Sequence, residues 1–185
     1  SKRVDTFTDS VIRRMTRISD AREGSINLSQ GFPDFDPPQV LLDALAKMAS
    51  GGEQHQYSIT FGSENLRKCI AAKYSPRFGY DIDPESEIVV TCGSTEAMMA
   101  AMMTVCDPGD KVIVFSPFYE NYGADAILSG AEPIYVPLNP PEFDFDKQAL
   151  ESAFQEGVKA IIVCNPSNPC GKVFTREELA YILSL

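Results

Sequence analysis

Histidine is almost absent: His55 is the only one in 185 residues. That removes zinc centres built on several imidazoles, and it leaves a Ser-His-Asp triad dependent on one residue between Gln54 and Gln56. His55 reads as a surface or loop residue. No two cysteines form a CxxC pair, and the five present, Cys69, Cys92, Cys106, Cys164 and Cys170, are odd in number. The start, Ser1-Lys2-Arg3-Val4-Asp5, lacks the apolar core of an export signal, so the thiols are expected reduced and packed and the chain cytoplasmic. No apolar run approaches the length that spans a bilayer. Basic residues are few, 16 Lys+Arg against 26 Asp+Glu, and the formal charge of -10 repels phosphodiester backbones and acidic lipid surfaces. Neither nucleic acid nor a membrane is expected as a partner. Repeats, low-complexity tracts and an internal linker are missing too. So are the Walker A pattern GxxxxGK[ST], the dinucleotide fingerprint GxGxxG and the nucleophile elbow GxSxG, which disfavours a nucleotide-dependent oxidoreductase.

What is present reads as an ordinary soluble globular chain, 44% hydrophobic and 23% charged. After a charged N-terminal segment, Ile26 to Gln30 has the pattern of a short strand. Val40, Leu41, Ala44, Leu45 and Met48 recur at helical spacing, with Pro37 or Pro38 in the first turn and Gly51-Gly52 as the stop. A second helix is expected from Ser63, with Leu66, Ile70 and Tyr74 on one face. From Glu87 onward, apolar strands alternate with helical stretches: Ile88 to Cys92, Lys111 to Phe115, Pro133 to Leu138 and Ala160 to Cys164. This predicts an α/β fold with a mainly parallel sheet and helices on both faces. Pro108-Gly109 and Asn139-Pro140-Pro141 signal turns. Thr175 with Glu178 forms a capping box, and Phe174 with Leu179 a hydrophobic staple, so a helix starts there. It reaches Leu185 without a stop signal, and the sequence is expected to be cut within a helix.

Strands of a parallel sheet finish on one edge, where open α/β folds bind ligands. The residues after three strands have unusual chemistry. At Thr91-Cys92-Gly93-Ser94-Thr95-Glu96, small residues leave N–H groups uncovered at a helix N-terminus beside two hydroxyls, which suits a phosphate dianion. A capped turn with Ser94 or Thr95 as N-cap is the simpler reading of this motif alone. At Ser116-Pro117-Phe118-Tyr119-Glu120-Asn121-Tyr122, an aromatic ring could stack on a flat ligand, or the aromatics could close the top of a core. At Cys164-Asn165-Pro166-Ser167-Asn168-Pro169-Cys170-Gly171-Lys172, two Asn-Pro steps make a stiff turn able to aim an amide at a ligand oxygen. A proline-rich loop without a ligand is the alternative, which the repetition of Asn-Pro weakens.

These segments resemble the pyridoxal-5′-phosphate (PLP)-dependent aminotransferases of classes I and II, in the fold group of aspartate aminotransferase. Asn165 to Gly171 is similar to that family's NPxNPxG turn, with Cys170 where Thr is frequent. Gly31-Phe32-Pro33-Asp34-Phe35 resembles its GxPDF segment. Tyr57, Gly62, Leu66 and Arg67 resemble Y-x4-G-x3-LR, and Pro117 to Tyr122 resembles P-x-aromatic-x-x-Y. The resemblance implies that Gly93, Ser94 and Thr95 hold the PLP phosphate, Tyr119 stacks on the pyridine ring and Asn168 donates to its phenolic oxygen. It also implies that Tyr57 reaches the cofactor of a neighbouring subunit in a homodimer, and that Gly31 lies near the substrate carboxylate. Residues 1–30 would be an N-terminal arm and the start of a small-domain segment, and residues 31–185 part of the PLP-binding large domain. The family's Schiff-base lysine, its pyridine-pairing aspartate and its carboxylate-binding arginine are expected beyond Leu185. No catalytic residue is therefore assigned here, and Lys111 and Lys172 match no Schiff-base motif. The expected reaction moves an amino group from an amino acid to a 2-oxo acid, with these residues inactive alone. A PLP-dependent C–S lyase or synthase of the same fold, or a non-catalytic fragment, are the alternatives.

Overall fold

The computed structural model describes residues 2–5, 10–51 and 55–185. Gly52, Gln54 and Ser1, used above, lie outside the described residues. The chain divides into two compact units, Val11–Thr91 and a second made of Cys92–Leu185 with Ser1–Ser10.

The first unit carries α1 (Val11–Asp20), α2 (Gln39–Ser50) and α3 (Glu64–Phe78). Helix α2 follows Pro38 and ends at Gly51, whose N–H returns to the Met48 carbonyl, as the proline and glycine signals predict. Its apolar residues Val40, Leu41, Leu45 and Met48 are all more than half exposed. Helix α3 begins after Ser63 as expected, but its buried face is one residue out of step. Arg67 and Ala71 are the buried positions, while Leu66 is exposed. The cause is Arg67: its guanidinium is 1% exposed and donates to the Gly62 carbonyl at 3.1 Å, to the Pro84 carbonyl and to Glu85 at 3.3 Å. Satisfying that fork turns its stripe of the helix inward. Gly62 itself has φ +98 and lies so close to Val90 that an added Cβ would sit 2.6 Å from the Val90 Cβ.

Two expected strands do not form in this unit. In Ile26 to Gln30, the Asn27 Oδ1 accepts from the Ser29 N–H and hydroxyl, a local turn that competes with extended pairing. In Ile88 to Cys92, the Val90 N–H reaches the Phe61 carbonyl at 2.9 Å, but no ladder forms among the described residues. An apolar run becomes a strand only when a neighbour satisfies its backbone along its length. His55 is exposed, as expected, with Nε2 3.0 Å from the Ala49 carbonyl.

The second unit holds a short 3-10 turn, Lys2–Asp5, and the elements α4 (Gly93–Val105), β1 (Lys111–Ser116), α5 (Asn121–Ser129), β2 (Glu132–Asn139), β3 (Asp144–Phe145), α6 (Lys147–Gln155), β4 (Val158–Ile162) and α7 (Arg176–Ser184). The sheet order is β3-β2-β1-β4. β2 and β4 flank β1 in parallel, and β3 folds back antiparallel on β2 through Leu138↔Phe145 after the Asn139-Pro140-Pro141 turn. The last strand starts and ends two residues earlier than its sequence suggests, leaving Cys164 in the turn beyond it.

Alternation along β1 splits the core. Ile113 and Phe115 pack with Leu150 and Ala153 of α6 and with Phe174 and Ile182; Val112 and Val114 pack on the other face with Met102 of α4 and Ala126 of α5. Helices therefore cover both faces, as an α/β sheet requires. The connections follow from the order. β1 runs through α5 to β2 on one side, and β2 returns through α6 past β1 to β4. Crossovers of one hand put helices on opposite faces when the direction reverses. Helix α7 starts on the predicted capping box, Thr175 with Glu178, and Phe174 and Leu179 join one apolar cluster. All five cysteines are free thiols, but Cys69 and Cys92 are exposed rather than packed.

One buried group works against this fold. Asp125 on α5 is 5% exposed, its Oδ2 has no hydrogen-bond partner, and burial raises its pKa above the ordinary 3.8. A carboxyl whose folded pKa is raised costs stability once the unfolded chain would ionise it. The cost is absent below the unfolded pKa and grows as pH rises through the folded one. Asp125→Asn should therefore raise the melting temperature by an amount that grows as pH rises above about 4, the ordinary carboxylate pKa. Thermal melts across that range test this, and a pH-independent difference would contradict it.

Candidate functional site

The exits of β1 and β4 leave the sheet toward opposite faces, one into α5 and the other into α7, and adjacent strands with diverging exits open a crevice at their carboxyl ends. A small, shallow cleft, open to solvent, lies there. Val114, Phe115 and Ile162 belong to its floor, while Phe118, Tyr122, Cys164, Ser167 and Asn168 come from the two exits.

The exit of β4 is a stiff turn. Gly171 donates to the Ser167 carbonyl and Ser167 to the Lys172 carbonyl, both at 2.8 Å, and the Asn165-Pro166 and Asn168-Pro169 bonds are cis. Its two asparagines differ in use. Asn165 Oδ1 accepts from the Phe174 N–H at 3.0 Å and so braces the start of α7. The Asn168 amide lies at the cleft with no hydrogen-bond partner among the described residues. Sequence alone does not divide the two roles.

At the exit of β1, Phe118 stacks on Tyr135 with centroids 5.1 Å apart and planes 2° apart, and both Phe118 and Tyr122 pack on the core. Tyr119 is the aromatic left outside that cluster. It meets Tyr122 edge-on at 5.7 Å. The Cys164 thiol on the facing exit, together with burial, pushes the Tyr122 phenol up to about 12. That phenol therefore stays protonated throughout the ordinary pH range.

The remaining segment is the start of α4. Its N-cap is Cys92, not Ser94 or Thr95, and no side chain caps it. The Glu96 carboxylate accepts from the Cys92 N–H, while Ser94 and Thr95 sit in the first turn, where helix N–H groups lack partners of their own. Gly93 supplies the positive φ of 84° that turns the chain into the helix. The segment before it is extended coil rather than a strand, as described above. Gly93, Ser94, Thr95 and Tyr119 do not line the cleft, but contacts connect them to its walls. The Asn121 amide donates to Thr95 Oγ1 at 2.8 Å, and Tyr119 touches Tyr122. Asn121, Tyr122 and Cys164 are the residues that sequence reasoning missed. The only signal was their position in the same exits.

Gly31 and Tyr57 belong to the first unit. Both lie in exposed loops, and Tyr57 is fully open to solvent. Neither lysine weighed above has the character of a nucleophile. Lys172 bonds Asp144 and also lies 2.9 Å from Glu178, and those carboxylates raise its pKa. Lys111 pairs with Glu156 at 2.8 Å, again with a raised pKa. A nucleophilic lysine needs the opposite shift.

Relatives bear on what this arrangement is. Residues 23–185 match the family described as aminotransferase class I and II. The chain is 38% identical to a probable N-succinyldiaminopimelate aminotransferase of Mycobacterium tuberculosis, covering 99% of this chain and 46% of that protein. It is 36% identical to kynurenine–oxoglutarate transaminase 3 of Rattus norvegicus, covering 43% of it. The chain thus spans about half the length of the curated relatives it matches. Among solved structures, the N-succinyldiaminopimelate aminotransferase of M. tuberculosis superposes with a TM-score of 0.89 over 100% of this chain and 48% of that one. Escherichia coli YbdL, reported with a methionine aminotransferase function, superposes at 0.90 with 33% identity over the same shares. With the family profile covering most of its length, the chain belongs to the class I and II aminotransferases.

Proposed function

We propose that these residues form part of the cofactor cradle of a PLP-dependent aminotransferase that moves an amino group from an amino acid to a 2-oxo acid. PLP, on which this family depends, offers a phosphate dianion, a flat ring and a phenolic oxygen. The residues present fit each of these. The uncapped first turn of α4 offers N–H groups and two hydroxyls to the phosphate, Tyr119 offers a ring outside the core, and Asn168 offers an unpaired amide. The observation that carries the proposal is the division of labour between the two asparagines, one braced and one open at the cleft.

When bound, PLP supplies an electron sink. The work of this chain is to hold and orient. Ser94, Thr95 and the Gly93 turn fix the phosphate, Tyr119 limits the tilt of the ring, and Asn168 donates to the phenolic oxygen. Gly31 provides backbone near the substrate carboxylate. Tyr57 reaches the phosphate of a neighbouring subunit, so the protein acts as a homodimer. The exposure of Tyr57 and of the apolar residues of α1 and α2 supports that reading. Lys111 and Lys172 are committed to ion pairs and are assigned no covalent role, and in this reading the covalent lysine of the family's chemistry is one expected beyond Leu185.

The test is made on the full-length protein. Added PLP should give an absorbance band near the visible edge that borohydride fixes covalently, and mixed amino and 2-oxo acids should exchange amino groups. Release of ammonia or sulfide without exchange would favour a lyase instead. Absence of any PLP-dependent band would sink the proposal.

A further inference from the structure

The hydrogen bond between Asn121 and Thr95 crosses from the start of α5 to the start of α4 at 2.8 Å, joining residues 26 apart in sequence. Its direction matters. A threonine hydroxyl has one proton to give and two lone pairs to fill. In helices that proton commonly returns to a carbonyl one turn back, as Thr104 in this same helix donates to the Ala100 carbonyl at 2.7 Å. Thr95 makes no such donation among the described residues. Instead it receives a proton from the Asn121 amide, which fills a lone pair and leaves its own O–H undirected toward protein.

We infer that Asn121 is a positioning residue for the cofactor phosphate: it occupies an acceptor site of Thr95 Oγ1 so that the Thr95 hydroxyl proton is turned out as a donor to the anion. The inference rests on the reading of Gly93 to Thr95 as the phosphate turn. A second contact supports the geometry. Asn121 and Tyr119 share one exit, and Tyr119 is held edge-on by Tyr122. The Asn121 bond therefore fixes the phosphate turn relative to the segment that carries the ring contact. Charge favours the amide here. An aspartate would accept the Thr95 proton and place a negative charge beside the anion, whereas asparagine donates and stays neutral.

The experiment measures dissociation constants of pyridoxal 5′-phosphate and of pyridoxal, which lacks the phosphate, for the full-length protein and three variants: Asn121→Ala, Thr95→Val and the double variant. Asn121→Ala should weaken pyridoxal 5′-phosphate by about 5- to 10-fold, the scale of one oriented hydrogen bond, and leave pyridoxal unchanged. In the Thr95→Val background the same replacement should have less than about a 2-fold effect, because the partner through which it acts is gone. Equal weakening of both ligands, or full additivity of the two replacements, overturns the inference while leaving the phosphate turn intact. A parent protein that binds both ligands equally overturns the phosphate turn itself. Unchanged pyridoxal binding also reports that each variant is folded.

Discussion

Arg67→Met is expected to destabilise the unit spanning residues 11–91 by roughly 2–4 kcal/mol, read as a lowered urea midpoint. The cost depends on which of its partners can fall back on water. The guanidinium is 1% exposed and serves the Gly62 carbonyl, the Pro84 carbonyl and Glu85. Glu85 is 60% exposed, so its ion pair with Arg67 is worth at most about 1 kcal/mol. Gly62 is buried and Pro84 half-buried, and a methionine of similar volume leaves both carbonyls without a donor, at about 1–3 kcal/mol for each buried one. Glu85→Gln should accordingly cost little. If Arg67→Met cost no more than Glu85→Gln, the weight placed on the carbonyls would be wrong. Lysine is a poor substitute at this position, because one ammonium cannot reproduce a fork that spans two carbonyls and a carboxylate.

Ser94→Asp should reduce PLP affinity of the full-length protein on the order of 30- to 100-fold while leaving the melting temperature of the ligand-free protein equal or higher. Both halves come from one location. Ser94 is in the first turn of α4, where a carboxylate favours the helix by about 0.3–1 kcal/mol. In the proposed cradle the same carboxylate would face the phosphate dianion. Unit charges about 4 Å apart repel by about 4 kcal/mol at an effective dielectric of about 20, and the exposure of this turn reduces that to about 2–3 kcal/mol. Calorimetric titration together with a thermal melt separates the two effects. A variant that lost affinity because it failed to fold would show a lowered melting temperature, and a variant that bound PLP normally would remove the phosphate from this turn.

Where the sequence spoke clearly, the determinant was local. The runs that became β1 and β2 are apolar and bounded by turn residues, so their place was legible within a residue or two. The capping box of Thr175 and Glu178 spans four residues and needs nothing else to form. Ile88 to Cys92 is just as apolar, yet strand identity depends on a neighbour's backbone, which the run itself does not encode. The inward face of α3 was misread for the same reason. A helical stripe of Leu66, Ile70 and Tyr74 predicts the inward face by hydrophobicity, but the acceptors gathered around Arg67, two of them from the distant Pro84 and Glu85, outweighed it. At the cleft, the Asn-Pro turn was legible as a stiff element. Which of its asparagines is spent on Phe174 was not, because that depends on how the chain leaves β4. The bond from Asn121 to Thr95 joins two exits, and no spacing rule connects residues so far apart.

The floor of the cleft has an evolutionary consequence. Val114 and Ile162 belong to the apolar cluster on one face of the sheet, Phe115 and Phe174 to the cluster on the other, and all four border the crevice. Carving extra room for a bulkier ligand by trimming any of them would hollow out the packing that keeps the unit folded, at about 2–5 kcal/mol for a large-to-alanine change. New specificity must therefore be explored from above, through the exits. A lineage built on this chain can vary the exit positions that the proposed cradle does not use while its floor stays nearly fixed.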